Sequence, residues 1–215
     1  MAFRLKLIHI LLLKGIIHFA AVIPLAYTFY LATIDDLGGD PVMALIHFCG
    51  IGAFNLLLLS LLVSPLAQKL KQGLLLRLRR LLGLYAFVYA LSHLLVYVIF
   101  ELQLDWGLIA GEIIERPYIT VGFVAFLILG ALAATSTQAM QRTLKRNWQK
   151  LHNWVYIAVL LIALHFIWSV KSDINEPLLY WAMTLVLLTM RKSTLQQWWL
   201  RRQKQNSEVK RQVQK

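Results

Sequence analysis

Histidine is the side chain through which this chain could do chemistry. Of its six histidines, His18, His47, His93, His152 and His165 fall inside or at the edge of long apolar stretches, and His9 lies just ahead of the first. No carboxylate, Lys or Arg lies deep in any of those stretches. Ionisable groups in apolar surroundings are costly and mark function by default. Neutral imidazole is the least costly of them to bury and the commonest nitrogen ligand of a metal. Taken singly, each histidine has a plainer reading as a hydrogen-bonding partner of a neighbouring helix. The lone cysteine, Cys49, excludes an intramolecular disulfide and any thiolate cluster.

The elements that must position these residues are membrane helices. The chain has 215 residues, of which 59% are hydrophobic and only 15% charged, whereas a soluble domain is nearer half apolar and a quarter charged. Crossing ~30 Å of hydrocarbon takes about 20 apolar residues. Five stretches qualify, 15–33, 42–64, 81–100, 118–137 and 151–170, and a shorter one covers 177–190. The last would extend into Ile174 to Glu176 or Arg191 to Thr194 by snorkelling and local thinning. Backbone polar groups cannot go unsatisfied in lipid, so the spans must be helices. The expected fold class is all-α, an integral membrane bundle of six transmembrane helices. Segment 1–14 is then an interfacial lead-in, 15–194 the transmembrane domain and 195–215 a basic cytoplasmic tail.

Charge placement orients the bundle. Of the 22 Lys and Arg residues, all but Arg116 and Lys171 lie before the first stretch, between the second and third, between the fourth and fifth, or after Met190. The ten acidic residues mirror them, with Glu208 alone on the basic side. The positive-inside rule places both termini in the cytoplasm, and an odd number of spans would scramble the segregation. The net charge of +12 is thus a statement about topology and calls for no nucleic-acid partner. The seven tryptophans, Trp106, Trp148, Trp154, Trp168, Trp181, Trp198 and Trp199, cluster near expected boundaries, as interfacial rings do. Lys14 interrupts the first apolar run and no small-residue cleavage site follows it, so the N-terminus reads as an uncleaved span.

Within this frame two histidines share a depth. At 1.5 Å per residue, His93 lies roughly 18 Å from the cytoplasmic start of the third span, and His165 roughly 21 Å along the fifth, which runs the same way. Two imidazoles on separate helices at one level are what a bis-histidine haem requires. Ala86 and Ala90 share the face of His93 and Ala158 that of His165, leaving room for a macrocycle or for close helix packing. His152 lies thirteen residues before His165, about 20 Å along the axis and about 140° from a shared face on an ideal helix. The residue fourteen before His93, where a second haem would want a ligand, is Arg79. His152 therefore borders a quinone or flavin pocket with Arg79 and Arg80, or anchors the interface. His47, followed by Gly50 and Gly52, could bond a haem propionate or serve helix packing. Arg116, just before Pro117, could pair with a propionate or act as a snorkelling anchor. His18 is undetermined.

Several blocks carry a resemblance. The run from Arg79-Arg80-Leu81-Leu82-Gly83-Leu84 to His93 and the Glu115-Arg116-Pro117-Tyr118 loop resemble the MsrQ (YedZ) family. So do Thr135-Ser136-Thr137 through Trp148 and Leu151-His152 to His165-Phe166-Ile167-Trp168, and His47-Phe48-Cys49-Gly50 after Gly39-Asp40-Pro41. The resemblance runs roughly from Lys14 to Met190. It implies the haem b membrane subunit of a periplasmic methionine sulfoxide reductase system in the inner membrane of Gram-negative bacteria, similar to the transmembrane part of ferric reductases and NADPH oxidases. It further implies His93 and His165 as axial ligands, His152 as the third family histidine, and an associated FMN. Electrons would come from the quinone pool or a cytosolic flavin reductase and pass to a molybdenum-containing periplasmic reductase that repairs oxidised methionine. Two positions depart from the family's pattern: Cys49 stands where Thr is common, and Lys145 where a Gly often precedes the Trp-x-x-Leu-His block.

The chain carries no Gly-rich dinucleotide fingerprint, so electrons are expected from a separate donor and the protein itself needs no turnover site. The acidic outer face suits a partner with a basic patch. Two other readings compete. A small proton-coupled transporter would use histidines as relays, but such carriers place carboxylates at the midplane and interrupt helices there, whereas here only Pro24 falls deep in a span. A non-catalytic anchor for a periplasmic partner would need none of the histidines.

Overall fold

The computed structural model describes residues 5–170 and 173–191, and helices account for nearly all of them. They are α1 (Leu7–Thr33), α2 (Pro41–Lys69), a 3-10 turn (Gly73–Leu78) leading into α3 (Arg79–Val96), and a π turn (Tyr97–Glu101). There follow α4 (Trp106–Glu115), α5 (Pro117–Ala134), α6 (Gln138–Leu144), α7 (Arg146–His152), α8 (Val155–Ser169) and α9 over 175–191. No strand occurs among the described residues. The starts of several helices follow local rules. Asp40 accepts a hydrogen bond from the Met43 amide ahead of Pro41 in the first turn of α2, Asp105 caps Gly107 and Leu108 in α4, and Thr137 caps Met140 in α6.

Five helical segments are long and apolar enough to cross a membrane: Leu7–Thr33, Pro41–Lys69, Gly73–Glu101, Pro117–Ala134 and Arg146–Ser169. They make the chain a multi-pass membrane protein. The sixth expected span coincides with α9, whose described residues extend about 25 Å, short of the ~30 Å of hydrocarbon. The basic tail and Lys171 lie outside the described residues. The first span begins eight residues earlier than expected, because Lys14 is accommodated inside α1; at about 40 Å that helix is long enough to carry Lys14 towards a headgroup layer. The connection between the third and fourth expected spans holds α4.

The main core is formed by Phe54, Leu57, Leu58 and Leu61 of α2, Ala86 of α3, Leu129 of α5, Ala158, Val159, Ala163 and Phe166 of α8, and Tyr180 and Leu187 of α9. Ala86 and Ala158 are fully buried in it, so these alanines serve close helix packing. α1 is peripheral and buries only Ile10 and Ala21, the latter through a hydrogen bond from Tyr89 of α3 to the Ala21 carbonyl, 2.7 Å. Ile16, Phe19 and Ile23 of α1, Leu127 of α5 and Val186 of α9 point outward as an apolar belt that only lipid would cover. The departure at Lys145 falls on a backbone with φ +47°, between α6 and α7, in a region that favours glycine.

Candidate functional site

α3 and α8 bring His93 and His165 together. Their ring centroids lie 6.2 Å apart with the planes crossed at 87°. The match in depth inferred from helical rise therefore corresponds to a close approach of the two rings in space, with their planes crossed. Each imidazole is held from behind by a main-chain carbonyl of another helix. His93 Nδ1 lies 2.8 Å from the Ile46 oxygen of α2, and His165 Nδ1 lies 2.7 Å from the Tyr118 oxygen of α5. A carbonyl only accepts, so both Nδ1 atoms carry the proton and both Nε2 atoms present a lone pair. With metal–imidazole bonds of about 2 Å and each centroid about 1 Å behind its nitrogen, a metal gripped between two imidazoles sets the centroids about 6 Å apart. The observed pair fits that spacing. No cluster of three or more His, Cys, Asp or Glu that could hold a bare ion occurs among the described residues.

Around the pair, at the acidic end of the bundle, runs a chain of polar contacts. Tyr97, in the π turn one helical turn beyond His93, donates to Glu112 Oε2 at 2.8 Å. Glu112 Oε1 pairs with Arg116 Nη2 at 2.8 Å, and Arg116 Nη1 donates to the Tyr118 hydroxyl at 3.2 Å. Arg116 thus already has protein partners. His47 lies 3.8 Å from Glu176 of α9, exposed, with its ring 6.5 Å from that of Phe166. His18 contacts the Tyr85 hydroxyl at 2.6 Å and joins α1 to α3.

At the basic end a cavity of about 620 Å³ opens among α2, α3, α5, α7 and α9. His152, Arg79 and Arg80 all line it, as do Trp148, Tyr156 and Arg191. The ideal-helix angle between His152 and His165 does not apply, because the helix breaks at Asn153 and Trp154 and restarts at Val155. The His152 ring stacks on Trp148, centroids 3.9 Å apart, and its Nδ1 donates to the Trp148 carbonyl at 3.2 Å. Arg191, 6% exposed, donates to the Tyr156 hydroxyl at 2.5 Å with its guanidinium 5.4 Å over that ring. The buried Nε of Arg79 has no hydrogen-bond partner. The buried guanidinium of Arg191 and the half-buried one of Arg79, beside one cavity, form an anion-seeking site. Sequence reasoning passed over Arg191, since an arginine ending an apolar stretch reads as a boundary residue; only the packing of α9 against α8 shows otherwise. It also passed over the Tyr118 and Ile46 carbonyls, for which no local signal exists.

Fold and site together define a class: a multi-pass helical membrane protein that holds two imidazoles opposite each other between helices. The family described as ferric reductase like transmembrane component matches residues 49–163. A Cronobacter sakazakii protein named protein-methionine-sulfoxide reductase heme-binding subunit MsrQ is 47% identical over 197 residues, covering 91% of this chain and 98% of the relative. A Klebsiella pneumoniae protein of the same name is 46% identical over 188 residues, 87% of this chain and 94% of the relative, and one from Pectobacterium atrosepticum is 46% identical over 197 residues, 91% and 99%. The chain belongs to the MsrQ family. No solved structure matches it.

Proposed function

We propose that this chain is a haem b electron-transfer subunit of the bacterial inner membrane, with both termini cytoplasmic. It takes electrons from the quinone pool or a cytosolic flavin reductase at its basic end and delivers them to a periplasmic, molybdenum-containing methionine sulfoxide reductase. The observation that carries this reading is the opposed pair His93 and His165, both with Nδ1 tied to a carbonyl and Nε2 directed away from it. Haem b held there would supply a one-electron ferric/ferrous couple. The chain's own residues fix the ligand tautomer and set the two rings at one level.

The cavity at the basic end supports the donor site. His152, Trp148, Arg79, Arg80 and Arg191 would hold a quinone head or the isoalloxazine and phosphate of FMN, stacked on an aromatic ring and paired with guanidiniums. The acidic end, carrying Asp105, Glu115 and Glu176, suits a basic patch on the periplasmic partner.

Haem quantified as its pyridine haemochrome tests the assignment. The expected ratio is about one per chain, lost in His93→Ala and in His165→Ala and retained in His152→Ala. An unchanged spectrum in both ligand variants would overturn the pair. A ratio near two that falls to one in His152→Ala would make the cavity a second haem site.

A further inference from the structure

Both imidazoles lie against a glycine. A methyl group placed on Gly50 would stand 3.1 Å from His93 Nδ1, and one on Gly122 would stand 2.7 Å from His165 Nδ1 and 3.0 Å from its Cγ. The two glycines occupy equivalent positions. Gly50 is four residues after Ile46 on α2, and Gly122 four residues after Tyr118 on α5, where Ile46 and Tyr118 are the carbonyl acceptors. Helix geometry explains why. A helical side chain leans toward the N-terminus and covers the turn before it, so residue i+4 screens the carbonyl of residue i. With only hydrogen at i+4, that carbonyl lies open to a second donor, and a flat ring can settle against the helix backbone.

We infer that Gly50 and Gly122 are positioning residues, a matched pair of notches that seat the two axial imidazoles on their carbonyls and set their planes crosswise. This rests on the bis-histidine reading above. Each notch does two things. It keeps the Nδ1–H···O=C bond short, which makes the opposite nitrogen a stronger donor and favours ferric iron. It also holds the ring plane, and with haem bound an 87° crossing would leave the two iron orbitals that overlap the imidazoles nearly equal in energy. Ferric low-spin haem with crossed axial planes has a large highest g value, which falls as the planes turn toward parallel.

The experiment compares Gly50→Ala and Gly122→Ala with the wild type in detergent, reading haem content, the ferric electron paramagnetic resonance spectrum and the midpoint potential. Gly130→Ala serves as control, since its added methyl would meet Phe87 of α3 at an ordinary 3.5 Å on the same helix as Gly122. The expected result is a lower highest g value and an upward shift in potential, larger for Gly122→Ala because its contact is tighter, with Gly130→Ala like wild type. Loss of haem from Gly122→Ala at normal membrane levels also supports the notch. If Gly122→Ala does not accumulate, Gly50→Ala decides. An unchanged g value and potential at full haem content in the accumulating variants overturns the inference. His93→Ala measured alongside separates the two readings: haem lost there but spectra unchanged in the glycine variants refutes the notches alone, whereas haem retained there refutes the ligand assignment.

Discussion

At the level of single residues, what could be read in advance depended on whether a residue's partner lies on its own helix. His93 and His165 stood out because charge segregation sets the helix direction and the helical rise then sets depth, and both quantities are local. Arg191 did not stand out, because its burial depends on Tyr156 of α8 and on the cavity beside Arg79. That burial has a measurable consequence for the proposed donor site. A hydrogen bond to a charged group contributes about 1.5–3 kcal/mol, or roughly tenfold or more in affinity. Arg191→Leu is therefore expected to weaken FMN binding to the purified protein about tenfold in a fluorescence titration, and to leave riboflavin, which has no phosphate, little changed. Equal weakening of both flavins would mean that Arg191 supports the cavity wall and does not meet the phosphate. His47 and Arg116 belong to the opposite case. They are exposed and paired with Glu176 and Glu112, and such pairs contribute little. His47→Gln is expected to leave haem content at the wild-type level in the pyridine haemochrome assay.

At the level of elements, the apolar runs marked the long helices, while the breaks between and within them were less visible. The break at Asn153 and Trp154 carries neither Pro nor Gly, and α4 is a short helix in what reads as a connecting loop. A register signal did exist at Lys145, where a glycine was expected from the resemblance and the backbone adopts φ +47° and ψ −118°. A side chain in this region costs of order 1–3 kcal/mol relative to glycine. Lys145→Gly should therefore raise the midpoint of thermal unfolding in detergent, since the gain from relieving φ exceeds the roughly 1 kcal/mol of added chain entropy. A lowered midpoint would show that the Lys145 side chain contributes more than the strain it imposes. The α2–α3 contact gives the converse case. The Tyr89 ring packs on Gly52, and its hydroxyl reaches the Ala21 carbonyl of α1. Overpacking a close helix contact costs about 1–3 kcal/mol, so Gly52→Ala should lower the same midpoint while Gly15→Ala, which meets open space, should not.

At the level of the whole molecule, two opposed charged ends organise everything else: the paired histidines sit toward the acidic end, and the cavity with its arginines opens at the basic end. Electron flow from one to the other crosses the membrane only if those ends face opposite compartments. Charge placement predicts that arrangement, because moving any one basic loop outward would set Lys and Arg against the insertion bias. Gly73 and Gly111 are suited to test it. Gly73 begins the 3-10 turn between α2 and α3, Gly111 lies on α4, and a side chain at either meets nothing within 4 Å. Gly111→Cys should react with a membrane-impermeant maleimide on intact spheroplasts, and Gly73→Cys only after permeabilisation. The native Cys49 is fully buried and should remain unlabelled in both conditions, so it need not be removed. The reverse pattern would put the histidine pair on the cytoplasmic side and make outward delivery untenable. Labelling of both sites from outside would mean that the segment between them does not cross, and the shared depth of His93 and His165 would then need another explanation than two spans of one bundle running in the same direction.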